Sequence, residues 1–453
     1  MSQFDRLVLA ISALLIVATG VVLAAGDRVG VSVSADALVE GAAPAVTAPV
    51  RITFGERMDI ASAEAHFSID PPLEGAITWE RNTLVFTPGT PFLPQQTYTV
   101  TLKAGAQSAT GRRTLDDFAW SFTPRAPRVL YLALEESTPR SLRAAPGDGG
   151  EPQELYRADY GIDSFAVSPD GAQVAVAVQT ETPTINVWLI DADGSDARQI
   201  LDCAPDACAQ VAWSPDGRLL AYEFWEQGRP LPSRVWLYDM DTGETGPLFD
   251  DRQVLGHTPT WSPDGGRLAF FDSAAQAIRV VDLRTRAVAL IPTLMGEVGV
   301  FAPDGEAMIY AEIRPVGRQY LPELWVAELA GDGGLRPLFS DEGAQDDQRA
   351  AWSPDGGWIA LGRNRLDEGS ATSYRPGRQV MLYNVETGEM RQITDDPQYN
   401  NVSFAWDPTG QALLIQRFRL DEAYARPEVW VYDTWDGAMH RIAEGGIQAR
   451  WQP

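Results

Sequence analysis

Lysine is almost missing from this chain: Lys103 is the only one, so arginine carries nearly all the positive charge. Across 453 residues, 36 Lys and Arg face 62 Asp and Glu, a formal net charge of −26. That balance argues against a nucleic-acid backbone as partner, because phosphate binding needs clustered cations. A metal ion, a basic protein or plain solubility suits it better. Histidine is scarce too. His66, His257 and His440 are too few for a multi-histidine metal site and leave little choice of catalytic base. No Gly-x-Ser-x-Gly occurs, which removes the nucleophile elbow of a serine peptidase.

Cysteine is limited to Cys203 and Cys208 in Asp-Cys-Ala-Pro-Asp-Ala-Cys. No third or fourth cysteine or nearby histidine completes a zinc set, so a local disulfide in an exported loop is expected. Long apolar runs are nearly absent as well, the exception being Leu7–Ala25 behind a short polar start. Its length approaches the roughly 20 residues of a membrane-spanning helix and exceeds the apolar core of a cleaved signal. Residues 1–28 are therefore expected to be an uncleaved signal anchor, a single-pass span with the body outside the cytoplasm. Ala24-Ala25-Gly26 leaves cleavage, and a secreted or periplasmic body, as the alternative.

What is present is alternation. Arg51–Phe54, Thr83–Phe86, Tyr98–Leu102 and Ala119–Phe122 alternate apolar and polar residues between Pro, Gly and Asp turns, with no helical periodicity. Residues 31–124 are thus expected to form a small β-sandwich. Phe54 with Met58-Asp59, Phe67, Pro71-Pro72, Trp79, Leu84–Pro88, Leu93-Pro94, Thr97-Tyr98 and Trp120–Thr123 resemble the bacterial Ig-like domain (SbsA type) of S-layer and other surface proteins. The resemblance implies a spacer or adhesion module without a catalytic role.

After the stiff linker Pro124–Pro127 one turn recurs: Ser168–Gly171, Trp213–Gly217, Trp261–Gly265, Ala302–Gly305, Trp352–Gly356, Trp406–Gly410 and Trp451–Pro453. Its prolines are 40 to 54 residues apart, the period of a four-stranded propeller blade. In Ser-Pro-Asp-Gly, proline presets φ, aspartate can accept a backbone N–H, and glycine takes positive φ. The preceding Trp or Phe is expected on the innermost strand. The units begin near Ile162, Gln210, Thr258, Val298, Arg349 and Val402. The repeat resembles the TolB-like, WD40-like (PD40) propeller repeat across residues 128–453. Ala302 in the fourth copy and Asp407 with Thr409 in the sixth depart from it and are expected to weaken those turns. Val129–Ala133, Ser141–Arg143 and Gln153–Tyr156 lack an innermost strand, and Ile447–Trp451 lacks the outer three. Joining them gives seven blades, with six as the alternative. The expected class is all-β: a membrane helix, an Ig-like sandwich, then a propeller.

Asp191–Asp196 begins like a calcium loop but lacks the length and flanking helices of one, so a hairpin is expected. Asp170, Asp216, Asp264, Asp304 and Asp355 are each accounted for by turn formation. On the opposite face the loops between second and third strands carry Trp225, Arg229, Arg318, Tyr320, Tyr374, Arg375, Arg419 and Tyr424, the tentative ligand-binding set. Arg234, Arg314, Arg417 and Arg426 accompany them. Arginine and aromatic side chains are enriched at binding hot spots. The connectors Asp250-Asp251, Asp341-Glu342, Asp346-Asp347 and Asp395-Asp396 supply an acidic background. Exposed loops are polar in any case, so both readings stay open. The leading expectation is a membrane-anchored, extracytoplasmic binding or scaffolding protein with a protein or glycan partner, no cofactor and no enzymatic activity. A propeller enzyme acting on a polysaccharide or lactone, and a structural envelope component, are the alternatives.

Overall fold

The computed structural model describes residues 30–36, 43–228, 233–316, 319–330, 333–339, 346–364 and 377–453. The anchor expected over residues 1–28 lies outside them. Among the described residues no helix is long and apolar enough to cross a membrane. The chain divides into two compact units, one of residues up to 44, 49–90 and 95–124, the other of residues 45–48, 91–94 and 125–453.

The first unit pairs Val33–Asp36, Val50–Phe54, Thr83–Pro88 and Gly75–Glu80 in one antiparallel sheet, and Phe67–Asp70, Tyr98–Leu102 and Phe118–Phe122 in another. Strict alternation in Val50–Phe54 and Tyr98–Leu102 buries every second side chain, so Phe54, Val100, Leu102 and Phe122 share an apolar interior. One element departs from the sequence reading. Ile60–His66 is helical, held by Asp59, whose Oδ1 accepts the Ser62 N–H at 2.8 Å. At seven residues it is too short to show a periodic apolar face, and only the cap gives a local reason for it. His66 is taken up by this helix, its Nδ1 lying 2.7 Å from the Ser62 carbonyl oxygen.

The second unit is propeller-like. Among its described residues, four-stranded antiparallel meanders follow one another. The second runs Ile162–Val167, Gln173–Gln179, Ile185–Asp191 and Arg198–Leu201; the third runs Ala207–Trp213, Leu219–Trp225, Arg234–Asp239 and Thr245–Pro247. Burial peaks at the second strand: Gln173–Gln179 is buried on both faces, the innermost strand Tyr399–Trp406 is mostly half-buried, and the outer strand Val288–Pro292 is mostly exposed. Second strands therefore read as apolar runs, because neighbouring sheets cover both faces.

The recurring turn closes on itself. Ser214 Oγ donates to Asp216 Oδ1 and accepts the Leu219 N–H at 2.8 Å, while Gly217 takes φ +72°. In the sixth copy Asp407 and Thr409 exchange the roles of the serine and the aspartate. Asp407 Oδ1 accepts the Ala412 N–H at 2.7 Å and its other oxygen accepts from Thr409 Oγ1. Aspartates of the regular copies are likewise occupied. In Asp264 and Asp355 the serine hydroxyl is the first of the groups holding the carboxyl below its ordinary value. Asp193 Oδ1 accepts the Ser195 N–H and hydroxyl in a local hairpin.

Four of the tryptophans ahead of the turn join successive inner strands. Trp213 donates to Ala166 O at 3.2 Å, Trp261 to Ala212 O at 3.0 Å, Trp406 to Ala351 O at 3.1 Å and Trp451 to Ala405 O at 2.9 Å. Gly446–Gln452 pairs antiparallel with Arg128–Glu135, so strands from the two ends of the unit share one sheet. Gln452 Nε2 then reaches Gly171 O at 3.0 Å, and Arg128 donates to Gln452 Oε1. C-terminal residues thus bond to neighbours on both sides.

Cys203 and Cys208 are joined, and Cys208 is fully buried on the inner strand Ala207–Trp213 rather than in a loop. Such a short ring restrains little of the unfolded chain. Replacing both cysteines by serine is expected to cost about 2 kcal/mol. Denaturant unfolding of the double variant checks this, and loss of cooperative folding would contradict it.

Candidate functional site

Most of the described inner strands enter the face bearing the strand-two to strand-three loops through an irregularity. The register shifts between Ile162 and Ser164, Ala209 and Ala212, His257 and Thr260, Gln348 and Ala350, and Ile447 and Arg450. At four of these bulges Gln210, Thr258, Arg349 and Gln448 adopt left-handed φ values of +47°, +57°, +55° and +52°. Each stands three residues ahead of a repeat tryptophan. For β-branched Thr258 this backbone is strained, so something must hold it. Glu223 does: its Oε1 accepts the Thr258 N–H at 2.7 Å.

Glu223 lies near the end of Leu219–Trp225 and is only 3% exposed. Its Oε2 accepts the Trp225 indole N–H at 3.2 Å. Burial pushes its carboxyl above the ordinary value and the nearby Asp163 charge adds to this, against hydrogen bonds from Thr258, Ser233 and Trp225. Asp163 Oδ2 in turn faces the Gln210 backbone N–H at 3.4 Å and its side-chain amide at 3.5 Å. The Asp163 carbonyl accepts from Gln448 Nε2 at 2.8 Å.

Asp163, Gln210, Glu223, Trp225 and Thr258 wall a cavity of about 870 Å³ that opens on this face, together with Glu226, Gln227, His257 and Ile185. Burial holds His257 below its ordinary value, and its ring packs 5.2 Å from Phe271. The disulfide loop buttresses the wall: Asp206 Oδ1 accepts the Gln227 N–H at 3.0 Å, and Gln227 Nε2 donates to Pro183 O. Among the described residues no three His, Cys, Asp or Glu side chains come together as metal ligands.

Of the loop residues read from the sequence, Trp225 belongs to this cavity and is 44% exposed. Tyr320 is 75% exposed at the tip of the long hairpin Ala307–Val316 and Gln319–Glu328. Tyr424 is fully exposed, with φ +66°. Arg419 is held by both oxygens of Asp421, at 3.0 and 2.7 Å, which raises its guanidinium above the ordinary value. Arg229, Arg318, Tyr374 and Arg375 lie outside the described residues.

Two groups differ from expectation. Arg417 is no rim residue: it is buried with its guanidinium carbon 3.9 Å from the Tyr399 ring centroid and 4.1 Å from that of Trp430. Asp346 and Asp347 are not a solvent connector but the first residues of the inner strand Asp346–Trp352, both buried. Asp347 takes two hydrogen bonds from Arg363, at 2.7 and 2.8 Å, because the register sets the two residues opposite one another. Arg314 is likewise engaged, by Glu323 at 2.7 Å. Sequence reasoning missed Asp163, Gln210, Glu223 and His257. The position three residues before each tryptophan was the one available signal, and it points to the bulges, not to Glu223.

Residues 29–124 match the family model described as a bacterial Ig-like domain. The first unit is a bacterial Ig-like domain. No curated protein matches the chain. Among solved structures, a puromycin-hydrolysing peptidase of Mycobacterium tuberculosis is similar at 15% identity and TM-score 0.51, over 70% of this chain and 53% of that one. TolB from Acinetobacter baumannii is similar at 17% identity and TM-score 0.41, over 86% and 83%. The β-propeller domain of the trilobed protease from Pyrococcus furiosus is similar at 14% identity and TM-score 0.46, over 62% and 82%. The likeness to the peptidase is one of fold alone.

Proposed function

We propose that the protein is a membrane-anchored, extracytoplasmic binding or scaffolding protein. Leu7–Ala25 anchors it, the Ig-like domain is the spacer, and a seven-bladed ring presents the binding face. Support for seven blades comes from the four-strand period and from Gly446–Gln452 completing the sheet of Arg128–Glu135. The ligand is a protein or glycan at the cell surface.

The cavity at Trp225 is the observation that carries this reading. On the turn face the aspartates are spent on their own backbone. On the loop face an indole, carboxylates and strained bulges surround open space, the composition of a pre-formed binding site. Tyr320 and Tyr424, in the corresponding loops of other sheets, are exposed as well.

The test is capture. The full chain carrying W225A, Y320A and Y424A together is expected to lose at least tenfold in partner capture from an envelope extract, with unchanged melting. Undiminished capture would remove the loop face as the binding surface. A second reading, an enzyme acting on a polysaccharide or lactone, has one specific support: a buried carboxyl with a raised pKa in a cleft. It requires turnover that E223Q abolishes.

A further inference from the structure

We propose that the cavity at Trp225 receives a cation: a guanidinium or alkylammonium group carried by a basic protein side chain or by a free amine. This deepens the binding reading above and rests on it. The cavity is roomy enough for an extended side chain and its neighbours, at about 870 Å³. Three carboxylates line it, from Asp163, Glu223 and Glu226, and no Lys or Arg is among its described lining residues. Arg252 stands 4.0 Å from Glu226 Oε1 and is largely exposed, so that pair is weak.

Glu223 is the group whose state is otherwise unfavourable. Its charge is buried, close to that of Asp163, and answered only by neutral donors. A carboxylate has about four acceptor positions, so those hydrogen bonds leave room for a charged donor. Such a donor gains both the short charge-assisted bond and relief of the carboxylate repulsion. Trp225 adds the second element of cation recognition, because the indole face attracts a guanidinium or ammonium electrostatically. Glu223 also fixes Thr258 in its strained backbone, so the acceptor geometry is set before a ligand arrives.

Binding should weaken as pH falls. Glu223 must be ionised to hold a cation, Asp163 and Glu226 line the same cavity, and His257 gains positive charge on acidification. Because burial raises the Glu223 carboxyl, the loss begins above the ordinary carboxylate range.

The experiment is calorimetric titration of the full-length chain in detergent micelles with agmatine and with an acetyl-Gly-Arg-Gly-amide peptide. The citrulline peptide and a chito-oligosaccharide serve as neutral controls. Saturable binding of the cationic probes is expected, with affinity falling at least tenfold in W225A and in E223Q. Gln at position 223 can still accept the Thr258 N–H, so that variant tests charge without removing the clamp. Tighter binding of the peptide than of agmatine identifies a protein side chain as the source; the reverse identifies a free amine. No saturable binding, equal binding of the citrulline peptide, binding of the oligosaccharide alone, or indifference to both substitutions overturns the proposal. If cationic probes fail while the triple-variant face still governs partner capture, the cavity's ligand class is wrong and the binding reading stands. If the probes bind and the triple substitution leaves capture intact, the reading of the face is what fails.

Discussion

Removing Gly446–Pro453 is expected to abolish cooperative folding of the propeller-like unit. The segment supplies the inner strand of the sheet that contains Arg128–Glu135. It carries Trp451, bonded to Ala405 O, and fully buried Gln452, bonded to Gly171 O and taken as acceptor by Arg128. Without it, Val129 and Leu130, which are fully buried, lose cover, and the inner edge of Arg128–Glu135 is left unpaired. The loss should be on the order of the whole net stability of a domain, roughly 5–15 kcal/mol. Melting followed by circular dichroism, with size-exclusion chromatography for aggregation, reads this out. A truncated chain that melts like the parent would show that the ends do not close the unit.

Breaking the Asp347–Arg363 pair should have the next largest effect. Both side chains are buried, joined by two hydrogen bonds, and the guanidinium also lies 5.3 Å from the Phe339 ring centroid. D347A removes the carboxylate that takes two hydrogen bonds from the buried Arg363 guanidinium, which is expected to cost about 3–5 kcal/mol. Replacing both residues, as in D347A with R363M, also removes the buried guanidinium charge and should recover much of that loss. Urea unfolding of the two variants decides. If the double variant is less stable than D347A by a further few kcal/mol, burial of the charge is not what makes the single change costly.

Much of the fold was legible because the repeat writes its turn and its tryptophan in the same register each time. Ser214, Pro215, Asp216 and Gly217 have local reasons to turn, and Trp213 has a partner one repeat back. The short helix at Ile60–His66 was not legible, since a cap at Asp59 is all that marks it. Nor was the exchange of roles in Asp407 and Thr409, in which Asp407 takes the Ala412 N–H that a serine hydroxyl takes in the regular copies.

The site was legible only at Trp225. Residue type placed Arg417 on a rim, but long-range packing put it between Tyr399 and Trp430. Asp346-Asp347 looked like a solvated acidic pair, yet strand register set Asp347 against Arg363. Glu223 sits in a strand that reads as core, and its partner Thr258 belongs to the following meander. No spacing within one repeat reveals a bond between two repeats. The charge of the cavity is therefore a tertiary property.

The most direct test of the binding account is hydrogen–deuterium exchange of the full chain with and without its captured partner. Protection is expected around Trp225–Gly228, His257–Thr258, Tyr320–Leu321 and Tyr424, all on the loop face. Protection confined to the Ser-Pro-Asp-Gly turns, or to the Ig-like domain, would contradict it.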